Sequence, residues 1–274
     1  MSTESAFKID YYLQLLDLSY QVIQSLAGKP STDPRLPDCQ QLADKLFFHA
    51  ATIYWLRQGT KAPGPHFPNG EAWFYDFASV AVIARTALET YLTLFEVFFE
   101  PTTDDEFEFN HALWQLSGFV IRENFVPSDS ALQPQVAKLQ QEIANMRTRL
   151  RKTQKFNSLT PREQKDVLKG KRRRDWTSVA KAAGFGEQTI RQMYAYYSGY
   201  VHADGLSGVQ IVDAKTAQDQ IGYIETHMTT VMMVMSKLII EYANKFSEAR
   251  AICDKNPVAF YRAQVWSGVA SRIP

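Results

Sequence analysis

Apolar side chains recur at helical spacing through residues 71–100, and this pattern constrains the fold more than any other feature of the chain. The stripe contains Trp73, Phe77, Val80, Ala84, Leu88, Tyr91, Phe95 and Phe98. It follows Gly70 and ends at Pro101, and both residue types commonly bound helices. About 30 residues at about 1.5 Å per residue span roughly 45 Å. The segment therefore predicts a long helix at the centre of a bundle.

The rest of the chain also shows helical periodicity. Further helices are predicted at residues 7–27, 42–56, 105–125, 131–155, 160–170, 176–183, 187–201, 214–250 and 257–269. The sequence contains no convincing run of strands with alternating polarity, and no glycine-rich phosphate loop between a strand and a helix. It predicts an all-α multi-helix bundle in which residues 1–274 form a single domain.

The composition is that of a chain long enough to bury a large core, with 274 residues of which 45% are hydrophobic. Cys39 and Cys253 match neither a paired-cysteine metal site nor a disulfide framework, which favours a reducing compartment. The first ten residues lack the basic and apolar regions of a secretory signal. Because charged residues such as Arg85 and Lys237 interrupt the most apolar helices, we expect no membrane span and a cytoplasmic location.

Positive charge is concentrated in residues 147–174. This segment holds 12 of the 30 Lys and Arg residues and two acids, Glu163 and Asp166, so its net charge is +10. The rest of the chain, with 18 basic and 27 acidic residues, has a net charge of −9. Such a segment predicts either a solvated face or an exposed insertion that binds RNA or DNA phosphates. The candidate contacts are Arg149, Arg151, Lys152, Lys171, Arg172, Arg173 and Arg174.

Two pairs of residues spaced four apart could carry chemistry. Ser198 and His202 can touch across one helical turn, which would orient the imidazole for proton transfer. Alternatively, His202 interacts with the last carbonyls of its helix. Arg85 and Glu89 lie inside the most apolar helix, where a buried Arg requires a partner. They form either a structural ion pair or a site in which Arg85 faces His202 and binds an anion.

The segment Ala84-Arg85-Thr86-Ala87-Leu88-Glu89, together with a later Tyr194-x-x-Tyr197-Ser198-x-x-Val201-His202, resembles a known family. Trp176, Ala180 and Gly184 also lie in the expected order. The resemblance covers roughly residues 71–205 and is to a bacterial all-α family of unknown function that is HEPN-like, similar to the higher eukaryote and prokaryote nucleotide-binding group.

The resemblance implies RNA phosphodiester cleavage. His202 would be the general acid or base, and Arg85, held by Glu89, would stabilise the phosphate or transition state. Ser198 or Tyr197 would be a positioning group. HEPN ribonucleases use an Arg followed by four to six residues and a His, whereas ten residues separate Arg191 from His202 here. Those two residues lie about 16 Å apart along one helix, so cleavage would need Arg85 or the second subunit of a homodimer.

A helix-turn-helix at residues 176–193 is an alternative nucleic-acid site. Ala180, Gly184 and Ile190 have the spacing of that motif, although the second helix continues into a Tyr-rich sequence that is typical of a core. A structural or protein-interaction role is a further alternative. The other histidines suggest no ligand set, and we expect neither a metal nor a cofactor. Met228, Met232, Met233 and Met235 fit adaptable packing, in the core or at a homodimer contact.

Overall fold

The computed structural model describes residues 8–29, 33–123, 130–171, 174–202 and 204–272. These residues form an all-α multi-helix protein with one small β-hairpin, as the sequence predicts for its fold class. The helices are α1 (Ile9–Gln24), α2 (Leu36–Leu56), α3 (Phe77–Leu94), α4 (Asp104–Glu123), α5 (Gln133–Lys152), α6 (Gln154–Asn157), α7 (Pro161–Leu168), α8 (Trp176–Ala182), α9 (Glu187–Val201), α10 (Gly205–Asp213), α11 (Ala217–Lys245), α12 (Ser247–Lys255) and α13 (Pro257–Arg272). Helix α3 continues as a π-helical segment, Phe95–Phe99.

The prediction of one helix over residues 71–100 is wrong at its amino-terminal end. Glu71–Phe74 is a strand, β2, which pairs antiparallel with β1, Thr60–Pro63. Gly59 and Gly70 have φ angles of 92° and 76°, a backbone conformation that glycine adopts readily. The helix starts only after Asp76, whose carboxylate accepts a hydrogen bond from the Ser79 N–H at 3.0 Å. The hairpin therefore shortens the predicted helix.

Other helix boundaries also differ from the prediction. The expected helix at 214–250 is two helices, because Phe246 is extended and separates α11 from α12. Thr216 and Asp219 form a capping box that starts α11. Helix α10 was not predicted, since Gly205 and Gly208 weaken its helical pattern.

The described residues divide into two compact units. Unit 1 comprises Met1–Thr93 and Ala180–Pro274, and unit 2 comprises Leu94–Val179. In unit 1, α11 packs against α1, α2, α12 and α13. Three α11 methionines, Met228, Met232 and Met235, are fully buried and fill this core.

Unit 2 has its own core, formed mainly by the packing of α4 against α5. Its buried apolar side chains are Phe109, Ala112, Leu113, Leu116, Ile143, Met146, Leu150, Phe156 and Val167. The last three come from residues 147–174, so the basic segment is built around buried apolar anchors. Its cations from Arg147 to Lys165 are consequently held on folded helices.

One helix among the described residues, Phe77–Phe99, is long and apolar enough to cross a membrane by length and composition. In its most apolar window, 56% of the residues are buried inside the protein. Arg85 and Glu89 lie in the middle of this helix. Packing as a core helix accounts for its composition.

Candidate functional site

Arg85 lies at the centre of a polar cluster between α3 and α9. Its Nε donates to Glu89 Oε1 at 2.9 Å, and its Nη1 donates to Ser198 Oγ at 3.3 Å. The side chains of Arg85 and Glu89 are 19% and 30% exposed, so water still reaches the ion pair. The structure thus brings three of the five predicted catalytic residues together, with a guanidinium that could also meet an anion.

Tyr194 belongs to the same cluster, although it is not among the site residues predicted from the sequence. Its ring lies 5.7 Å from the Arg85 guanidinium carbon, within cation–π distance. Burial, together with the negative charge of Glu89, raises the pKa of the Tyr194 phenol above its ordinary value, while Arg85 acts in the opposite direction. The phenol is therefore protonated at neutral pH. The spacing of four residues between Tyr194 and Ser198 is the sequence signal that could have identified Tyr194, because both residues face α3 from successive turns of α9.

Tyr197 lies outside this polar cluster. It is 2% exposed, and its hydroxyl hydrogen-bonds to Thr230 Oγ1 at 2.9 Å. Burial raises the pKa of the Tyr197 phenol, with the Thr230 hydrogen bond acting against the shift. The side chain joins α9 to α11 within the core of unit 1.

His202 is exposed at the carboxyl end of α9. Its backbone N–H donates to the Ser198 carbonyl at 2.9 Å, while Ser198 Oγ accepts a hydrogen bond from Arg85. No side chain in the described part of the protein hydrogen-bonds to the His202 ring. Arg85 therefore reaches α9 one turn before His202, and the predicted pairing of the Ser198 and His202 side chains is not formed.

His227, on α11, is enclosed by three tyrosine rings of α9. The distances from its ring centroid are 5.7 Å to Tyr196, 5.5 Å to Tyr197 and 6.1 Å to Tyr200. The side chain is fully buried, and neither ring nitrogen has a hydrogen-bond partner among the described residues. This burial lowers the pKa of His227 from 6.5 to about 4. The imidazole is consequently neutral at physiological pH.

In unit 2, the Arg149 guanidinium is engaged in contacts within the fold. Its Nε and Nη2 donate to the two carboxylate oxygens of Glu108 at 2.6 and 2.9 Å, a bidentate pair that joins α5 to α4. Nη1 donates to Gln115 Oε1 at 3.1 Å, and Nη2 lies 3.2 Å from His111 Nδ1. The guanidinium has little hydrogen-bonding capacity left for a phosphate.

Other cations of the basic segment also have partners within unit 2. Arg174 forms an ion pair with Glu100. Arg147 Nε donates to a backbone carbonyl, that of Leu168, at 3.0 Å. Arg172 and Arg173 lie outside the described residues, so the prediction that they bind nucleic acid stays a prediction.

Six cations of the same segment are free to contact solvent and form what we call the basic surface of unit 2. These residues are Arg151, Lys152, Arg162, Lys165, Lys169 and Lys171. All six are exposed, and within the described ranges none of their side chains forms an ion pair or hydrogen bond. Arg151, Lys152 and Lys171 were predicted as contacts, whereas the other three follow from the exposed face of α7.

The first turn of helix α7 is capped as the sequence predicts. Thr160 Oγ1 accepts from the Glu163 N–H, and Glu163 Oε2 accepts from the Thr160 N–H at 3.0 Å, completing a capping box. Arg162, Lys165 and Lys169 follow at spacings of three and four, which places them on one side of the helix. The Glu163 carboxylate is therefore engaged in hydrogen bonding with Thr160 at the start of the helix.

The predicted helix-turn-helix segment forms a turn between α8 and α9. Gly184 has a φ of 76°, and its carbonyl accepts hydrogen bonds from Lys237 Nζ at 3.0 Å and Ser271 Oγ at 2.6 Å. At the start of α9, Glu187 forms ion pairs with Lys181 and Arg191 at 3.1 and 2.7 Å. These pairs reduce the positive charge available to a phosphate on this face.

These features define the protein as an all-α multi-helix chain with a polar Arg85 cluster in unit 1 and a basic surface in unit 2. No protein-family model, curated protein or solved structure matches this chain. Among the described residues, no group of three His, Cys, Asp or Glu side chains could hold a metal ion. A cavity of about 420 Å³ is lined by Gln14, Asp17, Lys255, Asn256, Pro257, Val258 and Ala259, which include none of the predicted site residues.

Proposed function

We propose that this protein binds nucleic acid through the basic surface of unit 2. The observation that carries this proposal is the set of six exposed, unpaired cations between Arg151 and Lys171. Each cation that neutralises a phosphate releases condensed counterions, which makes this kind of surface effective for binding RNA or DNA without base recognition. The ion pair of Arg149 with Glu108 supports the surface by fixing α5 on α4.

The test compares two variants with equal changes in net charge. Arg162→Ala/Lys165→Ala/Lys169→Ala removes three exposed cations on and directly after α7. The control Lys45→Ala/Lys215→Ala/Lys255→Ala removes three exposed cations of unit 1. Binding to a mixed pool of labelled RNA and DNA is measured over a range of salt concentrations.

Each phosphate contact on a duplex contributes roughly 0.9 to the slope of log K against log salt. The loss of three contacts should therefore reduce the magnitude of this slope by up to about 2.7. The control should keep the wild-type slope. An unchanged slope in the α7 variant, or an equal change in both variants, would refute the proposal. Circular dichroism of each variant verifies that the fold is intact.

The cluster Lys171-Arg172-Arg173-Arg174 continues this surface in sequence. In the proposal, Arg172 and Arg173 add phosphate contacts, while Arg174 contributes less because it is paired with Glu100. Arg172→Ala and Arg173→Ala, each made singly, should therefore flatten the salt dependence more than Arg174→Ala does. The reverse order would assign the contact to Arg174.

RNA cleavage by a HEPN-like site is a second candidate function, favoured by the hydrogen bond from Arg85 to Ser198. Under this proposal His202 is the general acid or base and Arg85 stabilises the phosphate. Glu89 and Ser198 hold the guanidinium in place. Tyr197 acts indirectly, by fixing α9 through its hydrogen bond to Thr230.

Cleavage is tested by incubating the purified protein with a mixed RNA pool at several pH values. His202→Ala should abolish cleavage while preserving the fold, and His66→Ala, at an exposed position, controls for loss of a histidine. Variants prepared in parallel reveal contaminating nucleases. Equal cleavage by the wild type and His202→Ala, or none by either, would reject this candidate.

A further inference from the structure

The basic surface of unit 2 presents positive charge, but the described residues of this unit present no exposed aromatic ring on which a base could stack. Within the described residues of this unit, the exposed large hydrophobic side chains are Ile121 and Leu132, and no Phe, Tyr or Trp is exposed. Proteins that bind single strands draw about 1–3 kcal/mol per base from stacking on exposed aromatic side chains. A single strand could therefore gain little at this surface beyond the attraction of its phosphates.

The same surface is held rigidly. The bidentate pair of Arg149 with Glu108 fixes α5 on α4. Gln164 Nε2 donates to the carbonyls of Phe156 and Leu159 at 3.3 and 3.1 Å, which ties α7 to the preceding turn. Four of the six cations therefore project from the fixed helices α5 and α7 and would not lose backbone freedom when they meet a partner.

A second fixed contact lies just beyond α7. Gly170 packs on the backbone of Ser117, where an added Cβ would lie 3.0 Å from the Ser117 Cα. This contact anchors the chain between Lys169 and Lys171. Along α7, Arg162 and Lys169 are separated by seven residues, or about 10 Å of helix.

We infer that the partner of this surface is a double-stranded nucleic acid, recognised through its phosphates without base readout. This inference rests on the proposed nucleic-acid binding. A duplex carries one charge per roughly 1.7 Å of its axis, a denser and more rigid array than a single strand presents. A rigid surface that offers cations and, among its described residues, no exposed aromatic ring binds the partner with the higher charge density more tightly. Duplex DNA and duplex RNA share this chemistry.

The experiment measures binding of the full chain by fluorescence anisotropy at several salt concentrations. The probes are duplex DNA of two unrelated sequences, duplex RNA, oligo(dT) and oligo(U), each of roughly 20 nucleotides per strand. Polyglutamate serves as an acidic polypeptide. We expect duplexes to bind at least about tenfold more tightly than single strands, with similar affinity for both DNA sequences. Preferential binding of one duplex type identifies the source of the phosphates.

Two variants sharpen the assay. Arg162→Ala/Lys165→Ala/Lys169→Ala should lower the salt slope for duplexes by up to about 2.7. Trp55→Ala removes a Trp that is 68% exposed in unit 1 and should leave duplex affinity unchanged.

Each contrary outcome refutes a distinct statement. Single strands that bind as tightly as duplexes, or a loss of affinity in Trp55→Ala, would overturn the duplex inference and leave the proposed function standing. Failure to bind any nucleic acid, or equally tight binding of polyglutamate, would overturn both.

Discussion

Replacing His227 by Leu should remove a pH dependence of stability that originates in the core of unit 1. The His227 imidazole is buried, and the groups that surround it are the uncharged rings of Tyr196, Tyr197 and Tyr200. Its pKa is lowered from 6.5 to about 4 because burial disfavours the charged form. Between these two pH values the unfolded chain binds a proton at His227 and the native protein does not. Stability is therefore retained above pH 6.5 and lost as the pH falls towards 4.

The magnitude follows from the two pKa values. The difference between 6.5 and about 4, at about 1.4 kcal/mol per pH unit, corresponds to roughly 3 kcal/mol of unfolding free energy. At neutral pH the replacement should have a smaller effect, within about 1 kcal/mol. Leu loses the aromatic packing of the imidazole but also removes a buried N–H that has no acceptor among the described residues.

The measurement is urea unfolding of the wild type and His227→Leu, followed by circular dichroism at a series of values from about pH 7 to about pH 4. The wild type should lose about 3 kcal/mol more than the variant over this range. His66→Leu, at the exposed tip of the hairpin, is the matched control for loss of a histidine and should follow the wild type. Parallel pH profiles for the wild type and His227→Leu would refute the reasoning, because they would mean that His227 is protonated without cost in the folded protein.

Three further predictions concern the ion pairs and a turn. Arg85→Leu and Glu89→Leu should be non-additive by about 1 kcal/mol in a double-mutant cycle of urea unfolding, since either single change leaves a charge unpaired; additive losses would assign them separate partners. Arg149→Leu should destabilise the protein by about 2 kcal/mol in the same assay. Arg149→Lys should restore less than half of that stability, because lysine cannot bind Glu108 through two nitrogens. Full restoration by lysine would show that the bidentate pair is not needed. Gly184→Ala should lower the free energy of unfolding by about 1–2 kcal/mol, measured by thermal unfolding, because φ is 76° and the added Cβ would lie 2.8 Å from Lys237 Nζ. An unchanged unfolding midpoint would show that the turn relaxes.

The helical fold class and several local details could be predicted from sequence, because they depend on residues a few positions apart. Helix α9 has the predicted bounds, 187–201, and the capping box of Thr160 and Glu163 starts α7 as expected. The β-hairpin was not predicted, because it depends on pairing between residues that are farther apart in the sequence. Trp73 continues the helical spacing of Phe77, but the backbone of that segment is set by pairing with Lys61, which lies on the other side of a turn.

The positions of the candidate site residues depended on contacts between distant parts of the chain. Ser198 Oγ binds Arg85, 113 residues away, although His202 lies only four positions along the same helix. The sequence alone determined where helices form and where positive charge accumulates, since helical periodicity and net charge are properties of neighbouring residues. Tertiary structure decided which cations are free: Arg149 is neutralised by Glu108, 41 residues away, whereas Lys165 remains exposed. Pairing of this kind arises only when packing brings separate helices together, because charge–charge attraction falls with distance and is screened by water and salt.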